Sequence, residues 1–405
     1  MNEAKPRLDC LERIVPERLY TSSALRVARH FWRTADAVRV LDLADELQKR
    51  PDIDVVGVVD ADERYVGIVP KDRLFALVGK PFGRDVLRRS LVRETAERAP
   101  TFHAHADVFA VAQEIRTREA GSGGSAAFFA LVDGGRLRGI LSAQDLTEYL
   151  ARMTQDDIEL AGRLQERLLA GTELPSGDGW HLAAWSRPAK GVGGDFYFAR
   201  KLDGDRLFAA LCDVSGKGVA ASLIVSLVWG ILRGYDFRRG LGDLLVSLNR
   251  AIVDSFHMEK YLTGFFMIFD PRSARLVCAD MGHSHVLVVR GGRVLTVKSP
   301  RQNLPIGIER EIEPALQSFR LREGDTLFAY SDGIVEQEDP AGREFGERNL
   351  ARVLLSEARR TDGGFAEALP AAIDAFRGGA PQQDDMSFLL LGIGRPVAAI
   401  AASAP

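Results

Sequence analysis

Residues 191–219 are the stretch that most constrains this chain, because they carry two aspartates on either side of one predicted hairpin. Crowded apolar and aromatic residues predict strands over 195–200 and 206–214, and an Asp-Gly pair between them supplies the turn. Antiparallel pairing would bring Asp195 and Asp213 to neighbouring strand ends, each with glycine nearby. Glycine has no Cβ, so an ion and its waters can approach such a carboxylate closely.

This pair of aspartates has two interpretations. Hard oxygen ligands suit Mg²⁺ or Mn²⁺, which favours half of a metal site. Aspartates near turns are also common as simple solvated turn residues. The pair by itself therefore leaves both alternatives open.

Two further aspartates have the same setting and favour the metal site. Asp332 follows the strand predicted over 325–331 and precedes glycine, and Asp384 precedes the strand predicted over 386–392. Four gathered carboxylates would repel one another without counter-ions, so their convergence requires cations. Two divalent ions meet that need, and such a pair lowers the pKa of a water and orients it for attack on phosphorus. The sequence therefore predicts hydrolysis without a protein nucleophile.

Composition narrows the class of protein. With 405 residues, 46% of them hydrophobic, the chain is long enough for two or three cores and needs no disulfides. Cys10, Cys212 and Cys278 have no metal-ligand spacing, and we expect reduced thiols in a cytoplasmic protein. The net charge of −3 disfavours a nucleic-acid regulator. No apolar run is long enough for a membrane span, so no membrane partner is expected.

The region 172–393 alternates short strands with paired helices. This order predicts an α+β fold with sheets inside and helices outside. Helices are predicted by apolar periodicity over 217–235, 241–256, 347–359 and 364–377, and further strands over 263–270, 274–281 and 284–290. The Ala-rich tail 394–405 is expected to be disordered.

The first 145 residues contain an internal repeat. Residues 55–69 and 128–141 each comprise an apolar strand, a turn with Asp and a second strand containing Gly. Helices are predicted before each unit, over 36–49 and 107–118.

This repeat resembles a tandem cystathionine-β-synthase (CBS) pair, a module that in many proteins binds adenine nucleotides. Gly139, Ser142 and Asp145 match the family's Gly-x-x-Ser/Thr-x-x-Asp pattern, which implies phosphate and ribose contacts. The first repeat departs from the pattern, with Pro70 at the hydroxyl position and Asp72 one residue early. A docking or dimerising module without nucleotide is the alternative, because Ser142 and Asp145 also suit a helix cap.

Between the two regions, the spacing of apolar residues over 146–171 predicts one long helical linker. A narrow apolar stripe with a single interruption at Asp157 is typical of paired helices, and a parallel homodimer is one interpretation. The other is a single helix on its own domain. The stripe consists of Leu146, Leu150, Met153, Leu160, Leu164 and Leu168.

The C-terminal region resembles the SpoIIE/RsbU branch of the PPM-type serine/threonine phosphatases. Six segments carry the resemblance in order: 188–197, 213–221, 282–283, 304–307, 324–336 and 383–387. The resemblance implies a β-sandwich flanked by helix pairs and two divalent cations, Mn²⁺ or Mg²⁺. Carried over by position, the ligands are Asp195, Asp213, the carbonyl of Val214, Asp332 and Asp384, and Asp385 is an outer-shell partner.

Several positions qualify this assignment. Phe198 and Cys212 replace residues that are usual in the family, although neither is at a ligand position. His283 follows glycine in a turn, and we expect it to fix that turn rather than serve as a general acid. Glu336 and Glu338 suit a third cation or, as we prefer, a solvated loop.

The resulting hypothesis is a metal-dependent protein phosphatase controlled by its N-terminal CBS-like pair. The resemblance implies a phosphorylated protein substrate, commonly a STAS-type anti-anti-sigma factor. The alternative is an inactive phosphatase-like scaffold whose working part senses adenine nucleotides. Retention of all four aspartates argues against the alternative.

Overall fold

The computed structural model describes residues 10–15, 23–122, 127–170, 174–216, 218–297, 301–357 and 365–394. The chain divides into two compact units, Met1–Gln155 and Asp156–Pro405. The predicted disordered tail lies almost wholly outside the described residues. None of the helices in the described ranges combines the length and the apolar character that crossing a bilayer would require.

The first unit holds two copies of one strand-helix-strand-strand-helix arrangement. In each copy the leading strand pairs in parallel with the next strand, which then forms an antiparallel hairpin. The elements are β1 (Glu12–Arg13), β2 (Trp32–Ala35), α1 (Val40–Gln48), β3 (Val55–Val59), β4 (Tyr65–Pro70), α2 (Lys71–Val78), α3 (Gly83–Val86), α4 (Val92–Thr95), β5 (Thr101–His103), α5 (Val108–Ser122), β6 (Phe128–Asp133), β7 (Arg136–Ser142) and α6 (Ala143–Ala170).

The internal repeat that the sequence predicted is therefore present in three dimensions. Both hairpins even change register at the same place, between Val58 and Val59 in the first copy and between Leu131 and Val132 in the second. All five residues of β3 are buried, which explains its unbroken valine-rich sequence. Residues from both sheets share one apolar cluster, so the copies pack on each other.

The second unit is a sandwich of two five-stranded antiparallel sheets with helices outside. Its strand orders are β15-β12-β11-β10-β9 and β14-β13-β16-β17-β8. The elements are β8 (Trp180–Arg187), β9 (Phe196–Lys201), β10 (Leu207–Val214), α7 (Val219–Gly234), α8 (Leu241–Phe256), β11 (Leu262–Asp270), β12 (Arg275–Met281), β13 (Val286–Arg290), β14 (Arg293–Thr296), β15 (Gln317–Arg320), β16 (Thr326–Tyr330), α9 (Gly333–Glu336), α10 (Gly346–Glu357), α11 (Phe365–Arg377) and β17 (Met386–Ile393).

Alternation along the strands builds three apolar layers. In β10, Leu207, Ala209 and Leu211 face the other sheet, whereas Phe208 and Ala210 face α7 and α8. On the far side, β16 and β17 bury their outer residues under α10 and α11. This arrangement is the predicted α+β sandwich with helices on both faces.

Helix α6 begins in the first unit and ends in the second. Within the second unit Ile158, Gly162 and Gln165 lie on one face, and that face contacts the segment that leads to Asp195. Leu160 and Leu164, on the opposite side, are about half exposed. The C-terminal part of the predicted linker thus lies on its own unit and leaves part of the apolar stripe uncovered.

Candidate active site

The first two predicted carboxylates lie side by side. Strands β9 and β10 are antiparallel, with Phe196 opposite Cys212, so Asp195 just before β9 faces Asp213 near the end of β10. Asp195 is only 4% exposed, and its Oδ2 accepts a hydrogen bond from the Ser387 hydroxyl at 2.7 Å. The predicted hairpin is confirmed to within one residue at each end.

The other two carboxylates come from the opposite sheet. Asp332 follows the end of β16 and Asp384 precedes β17, and these strands are antiparallel neighbours. The Ser331 amide donates to the Ser387 carbonyl at 2.9 Å, which joins the two strand ends. Each sheet therefore delivers two aspartates to the same end of the sandwich.

Three of these carboxylates line one open cleft of about 370 Å³. Asp213, Asp332 and Asp384 border it together with Asp385 and Val214, and Asp195 is buried behind Asp213. The structure thus brings together every predicted ligand position, including the Val214 backbone.

The pKa values of the carboxylates indicate that this cleft needs added positive charge. Burial, followed by the neighbouring charge of Asp213, raises the pKa of Asp195 well above its usual value. Burial, followed by the charges of Asp332 and Asp384, raises the pKa of Asp213 to about 7. The carboxylates therefore resist simultaneous ionisation unless positive charge is added.

The chemistry of this donor set fits divalent cations. Carboxylate and carbonyl oxygens are hard ligands, and their mutual repulsion is relieved by Mg²⁺ or Mn²⁺. Within the described residues, no three acidic, histidine or cysteine side chains form a compact ion-holding group by themselves.

Asp385 braces the backbone around the site. Its Oδ1 accepts from the Ala189 amide and its Oδ2 from the Gly194 amide, both at 2.7 Å. A Cβ at Gly194 would lie 2.7 Å from the Val214 carbonyl oxygen, so only glycine allows this approach. This contact pattern agrees with a supporting role for Asp385.

Gln165 of the linker helix also supports the site. The sequence did not predict this role. Gln165 is 7% exposed; its amide nitrogen donates to the Gly193 carbonyl at 2.7 Å, and its amide oxygen accepts from the Gly193 amide at 3.0 Å. Gly193 lies two residues before Asp195. The sequence gives no signal for this role, because Gln165 lies off the apolar stripe of the helix.

The residues that depart from the family pattern are core residues here. Phe198 is buried edge-on against Trp229, and Cys212 is fully buried beside Gly264. Their substitution therefore changes packing beneath the site, not the carboxylate set.

The two glutamates considered for a third cation lie outside the cleft-lining residues. Glu336 is exposed, and Glu338 accepts a hydrogen bond from Gln383 at 2.8 Å. Glu336 ends α9, and burial followed by the charges of Asp332 and Asp384 raises its pKa. The solvated loop therefore stays a prediction. His283 does line the cleft, but its turn is held by Asp280, whose Oδ1 accepts from the His283 amide at 2.7 Å.

In the first unit, Ser142 and Asp145 form a reciprocal helix cap at the start of α6. The Ser142 amide donates to Asp145 Oδ2 at 3.1 Å, and the Asp145 amide donates to Ser142 Oγ at 3.0 Å. His30 Nε2 lies 3.4 Å from Asp145, and Gly139 packs closely against Phe31. Capping and packing therefore account for all three predicted nucleotide contacts without a ligand.

Comparison with known proteins agrees with this architecture. The second unit has the fold of a PP2C-type phosphatase domain: the SiaA-PP2C domain of Pseudomonas aeruginosa superposes with a TM-score of 0.52 at 24% identity, over 61% of this chain and 98% of that chain. Within that class, residues 203–394 match the family model described as Stage II sporulation protein E (SpoIIE). The resemblance of the C-terminal region to the SpoIIE/RsbU branch is thereby confirmed.

Two curated relatives are similar to about half of this chain. Phosphoserine phosphatase RsbU of Bacillus subtilis is 26% identical over 205 residues, which are 50% of this chain and 60% of the relative. Protein IcfG of Synechocystis is 25% identical over 245 residues, which are 53% of this chain and 38% of the relative. The chain thus spans about three fifths or less of each of these relatives.

Proposed function

We propose that this chain is a metal-dependent protein serine/threonine phosphatase. The observation that carries the proposal is the convergence of four aspartates from two sheets on one cleft, with raised pKa values at Asp195 and Asp213. Such a site is unfavourable for a protein that never binds cations, and favourable for one that does.

Asp195, Asp213, the Val214 carbonyl, Asp332 and Asp384 would hold two Mn²⁺ or Mg²⁺ ions. When bound, these ions lower the pKa of a water and neutralise charge on the phosphoryl group. The chain supplies the rest: Ser387 fixes Asp195, and Asp385 fixes the loop before it. The reaction forms a bond from water oxygen to phosphorus and breaks the bond to the seryl or threonyl oxygen.

The substrate we propose is a phosphorylated regulatory protein. The cleft is open, with room for a phosphorylated side chain presented by a larger surface. The relative RsbU is named a phosphoserine phosphatase, and the resemblance to its branch supports a STAS-type anti-anti-sigma factor as the substrate. An inactive scaffold is disfavoured because every carboxylate position is filled.

We propose further that the N-terminal unit is a CBS-like pair that controls the phosphatase. Helix α6 supports this, because it starts at the Ser142 cap and carries Gln165, which holds the loop before Asp195. The half-exposed Leu160 and Leu164 support pairing with a second copy. An adenine nucleotide at Gly139, Ser142 and Asp145 would have to compete with Arg29 and His30 for the Asp145 carboxylate.

Hydrolysis of p-nitrophenyl phosphate and of a phosphoserine peptide by the purified full chain tests the activity. We expect turnover that depends on Mn²⁺ or Mg²⁺ and disappears with chelator. Asp213→Asn should lose at least about 100-fold, because it removes a ligand charge. The matched control is Asp203→Asn in the exposed turn of the same hairpin, which should keep wild-type turnover. Metal-independent or absent hydrolysis would refute the proposal.

A further inference from the structure

Two segments of the second unit are joined to each other along one side of the cleft. The Leu262 amide donates to the Ile306 carbonyl at 2.8 Å, and the Ile306 amide donates to the Leu262 carbonyl at 2.8 Å. Both side chains are fully buried in the apolar layer under α7 and α8. Asn249 of α8 also holds the second segment, because its Oδ1 accepts from the Gly307 amide at 2.7 Å and its Nδ2 donates to the Glu309 carbonyl at 2.8 Å. This side of the cleft is therefore anchored in the core.

Exposed apolar side chains lie on these two anchored segments. Tyr261 is 42% exposed, Leu304 49% and Ile308 39%, and each lies within two residues of the bonded pair. The segments approach closely at this point, since a Cβ at Gly307 would lie 3.3 Å from the Tyr261 Cα. Apolar side chains that are exposed together beside polar groups are typical of a surface that contacts another molecule.

This apolar surface is continuous with the cleft. Tyr261 itself lines the cleft, and its amide donates to Ser215 Oγ at 2.9 Å. Gly282 also lines the cleft, and a Cβ at Gly282 would lie 2.7 Å from the ring of Pro305, the neighbour of Leu304. A protein that places a phosphorylated side chain in the cleft can therefore contact the apolar surface with the residues next to it.

A cation lies where the cleft and the apolar surface meet. Lys260 Nζ lies 3.4 Å from the Ser215 carbonyl oxygen and 2.8 Å from the position that a Cβ on Gly216 would take, and both of these residues line the cleft. Within the described part of the chain, Lys260 forms no ion pair. An ammonium group has three donors, of which the Ser215 carbonyl takes one. Lys260 can therefore bind an anion at the edge of the cleft.

We propose that Lys260, Tyr261, Leu304 and Ile308 form a docking surface for the phosphorylated substrate protein. Lys260 pairs with the phosphoryl group, and the three apolar side chains contact apolar residues that flank the phosphoserine. This inference rests on the proposed phosphatase activity and adds the substrate class, a phosphoserine with large apolar neighbours. The charge of a phosphoryl group complements Lys260 beside the cleft, which favours this occupant over a second copy of the chain.

A pair of phosphoserine peptides of equal length and charge tests the apolar contacts. In one peptide the phosphoserine is flanked by leucines, and in the other by glycines. With Mn²⁺ and the full wild-type chain, we expect kcat/KM to be at least about tenfold higher for the leucine peptide, since a contact of one methylene in an apolar site is worth roughly 10- to 200-fold.

The ratio of the two kcat/KM values should depend on Leu304. In Leu304→Asp this ratio should fall at least about fivefold, because a charged carboxylate replaces an apolar contact. The introduced charge repels both peptides equally, so it cancels in the ratio. The matched control is Leu295→Asp on the edge strand β14, where the leucine is 46% exposed, and this variant should keep the wild-type ratio.

Lys260 is tested by substitutions that remove or keep its charge. Lys260→Met should raise KM about tenfold for both peptides, because a hydrogen bond to a charged group is lost, whereas Lys260→Arg should stay within about threefold of the wild type. The change in KM should exceed the change in kcat, since the contact is already made in the bound substrate. A lower melting temperature in Lys260→Met with an unchanged KM would mean that Lys260 only supports the Ser215 loop, which overturns its role.

The same measurements separate failure of the docking surface from failure of the proposed function. If the wild type hydrolyses neither peptide nor p-nitrophenyl phosphate in the presence of metal, the proposed function and this inference fall together. Metal-dependent hydrolysis with equal kcat/KM for both peptides, or with an unchanged ratio in Leu304→Asp, overturns the docking surface alone. Sedimentation equilibrium detects the other occupant: loss of a wild-type dimer in Leu304→Asp, with the peptide ratio kept, assigns the surface to self-association and overturns the inference.

Discussion

The side-chain amide of Gln165 forms hydrogen bonds with both backbone groups of Gly193, accepting from its amide at 3.0 Å and donating to its carbonyl at 2.7 Å. Gln165 belongs to the linker helix, and Gly193 is two residues from Asp195. On the other side of the same loop, Asp385 accepts from the Gly194 amide at 2.7 Å. The loop that sets the position of Asp195 is therefore held between α6 and the strand end at β17.

Removal of the Gln165 side-chain amide should weaken metal binding without unfolding the sandwich. Gln165→Ala leaves both buried groups of Gly193 without partners, at a cost of about 1–3 kcal/mol. We expect the Mn²⁺ concentration needed for half-maximal turnover to rise at least about tenfold. Each 1.4 kcal/mol lost from the free energy of metal binding is a factor of ten. Metal titrations of turnover and of binding heat measure it. Glu166→Ala, at an exposed neighbouring position, is the control; equal metal requirements in the two variants would contradict this role.

The buried carboxylates predict that the metal-free protein becomes less stable as the pH rises. Folding raises the pKa of Asp213 from 3.8 to about 7, so the folded state holds a proton that the unfolded chain releases. Stability should therefore fall as pH rises from about 4 through 7. Thermal melts with chelator at pH 5 and pH 8 measure the effect, which Asp213→Asn should flatten while raising the melting temperature at pH 8. A wild-type melt that rises over this range would contradict the assignment.

Much of the second unit was predictable because its strands are continuous apolar runs. Strands β10 and β17 were located within a residue, whereas β15, with the mixed sequence Gln317–Arg320, has no pattern and was missed. The site was predictable because its aspartates stand at strand ends, most of them beside glycines. Their supports could not be predicted: Ser387 and Asp195, for example, are 192 residues apart and meet only after the two sheets pack. The local spacing of Ser142 and Asp145 also suggested a helix cap as the alternative to nucleotide contacts, and this cap is present in the structure.

An ion pair outside the cleft, between buried Asp325 and partly exposed Arg290, should affect stability alone. Asp325 is 2% exposed and accepts from Arg290 Nε at 2.9 Å and from the Arg322 amide at 2.7 Å. Asp325→Ala leaves the Arg322 amide and the partly exposed Arg290 guanidinium without this acceptor and should destabilise the fold by about 1–3 kcal/mol. Denaturation of the full chain in urea tests this, with turnover per folded molecule unchanged. Lys201→Ala, in an exposed ion pair, should change stability by less than about 1 kcal/mol.

The last prediction concerns the exposed part of the linker stripe. Asp157, Leu160 and Leu164 are all exposed on α6, while Ile158 and Gln165 face the second unit. If a second copy covers the leucines, Asp157 lies in an apolar seam and weakens the pairing. Asp157→Leu should then tighten the dimer at least about tenfold and change the basal rate, because the same helix holds the Gly193 loop.

Sedimentation equilibrium of the full chain measures this association, and metal-dependent turnover measures its effect on catalysis. Leu160→Glu combined with Leu164→Glu should give a monomer that keeps its fold, because neither leucine packs in a core. Adenine nucleotides added to each variant then show whether the first unit acts through this helix: a response present in the wild type should be blunted in Asp157→Leu. If all three proteins have the same oligomeric state and the same rate, α6 is a passive connection, and control of the cleft through Gln165 requires a different element.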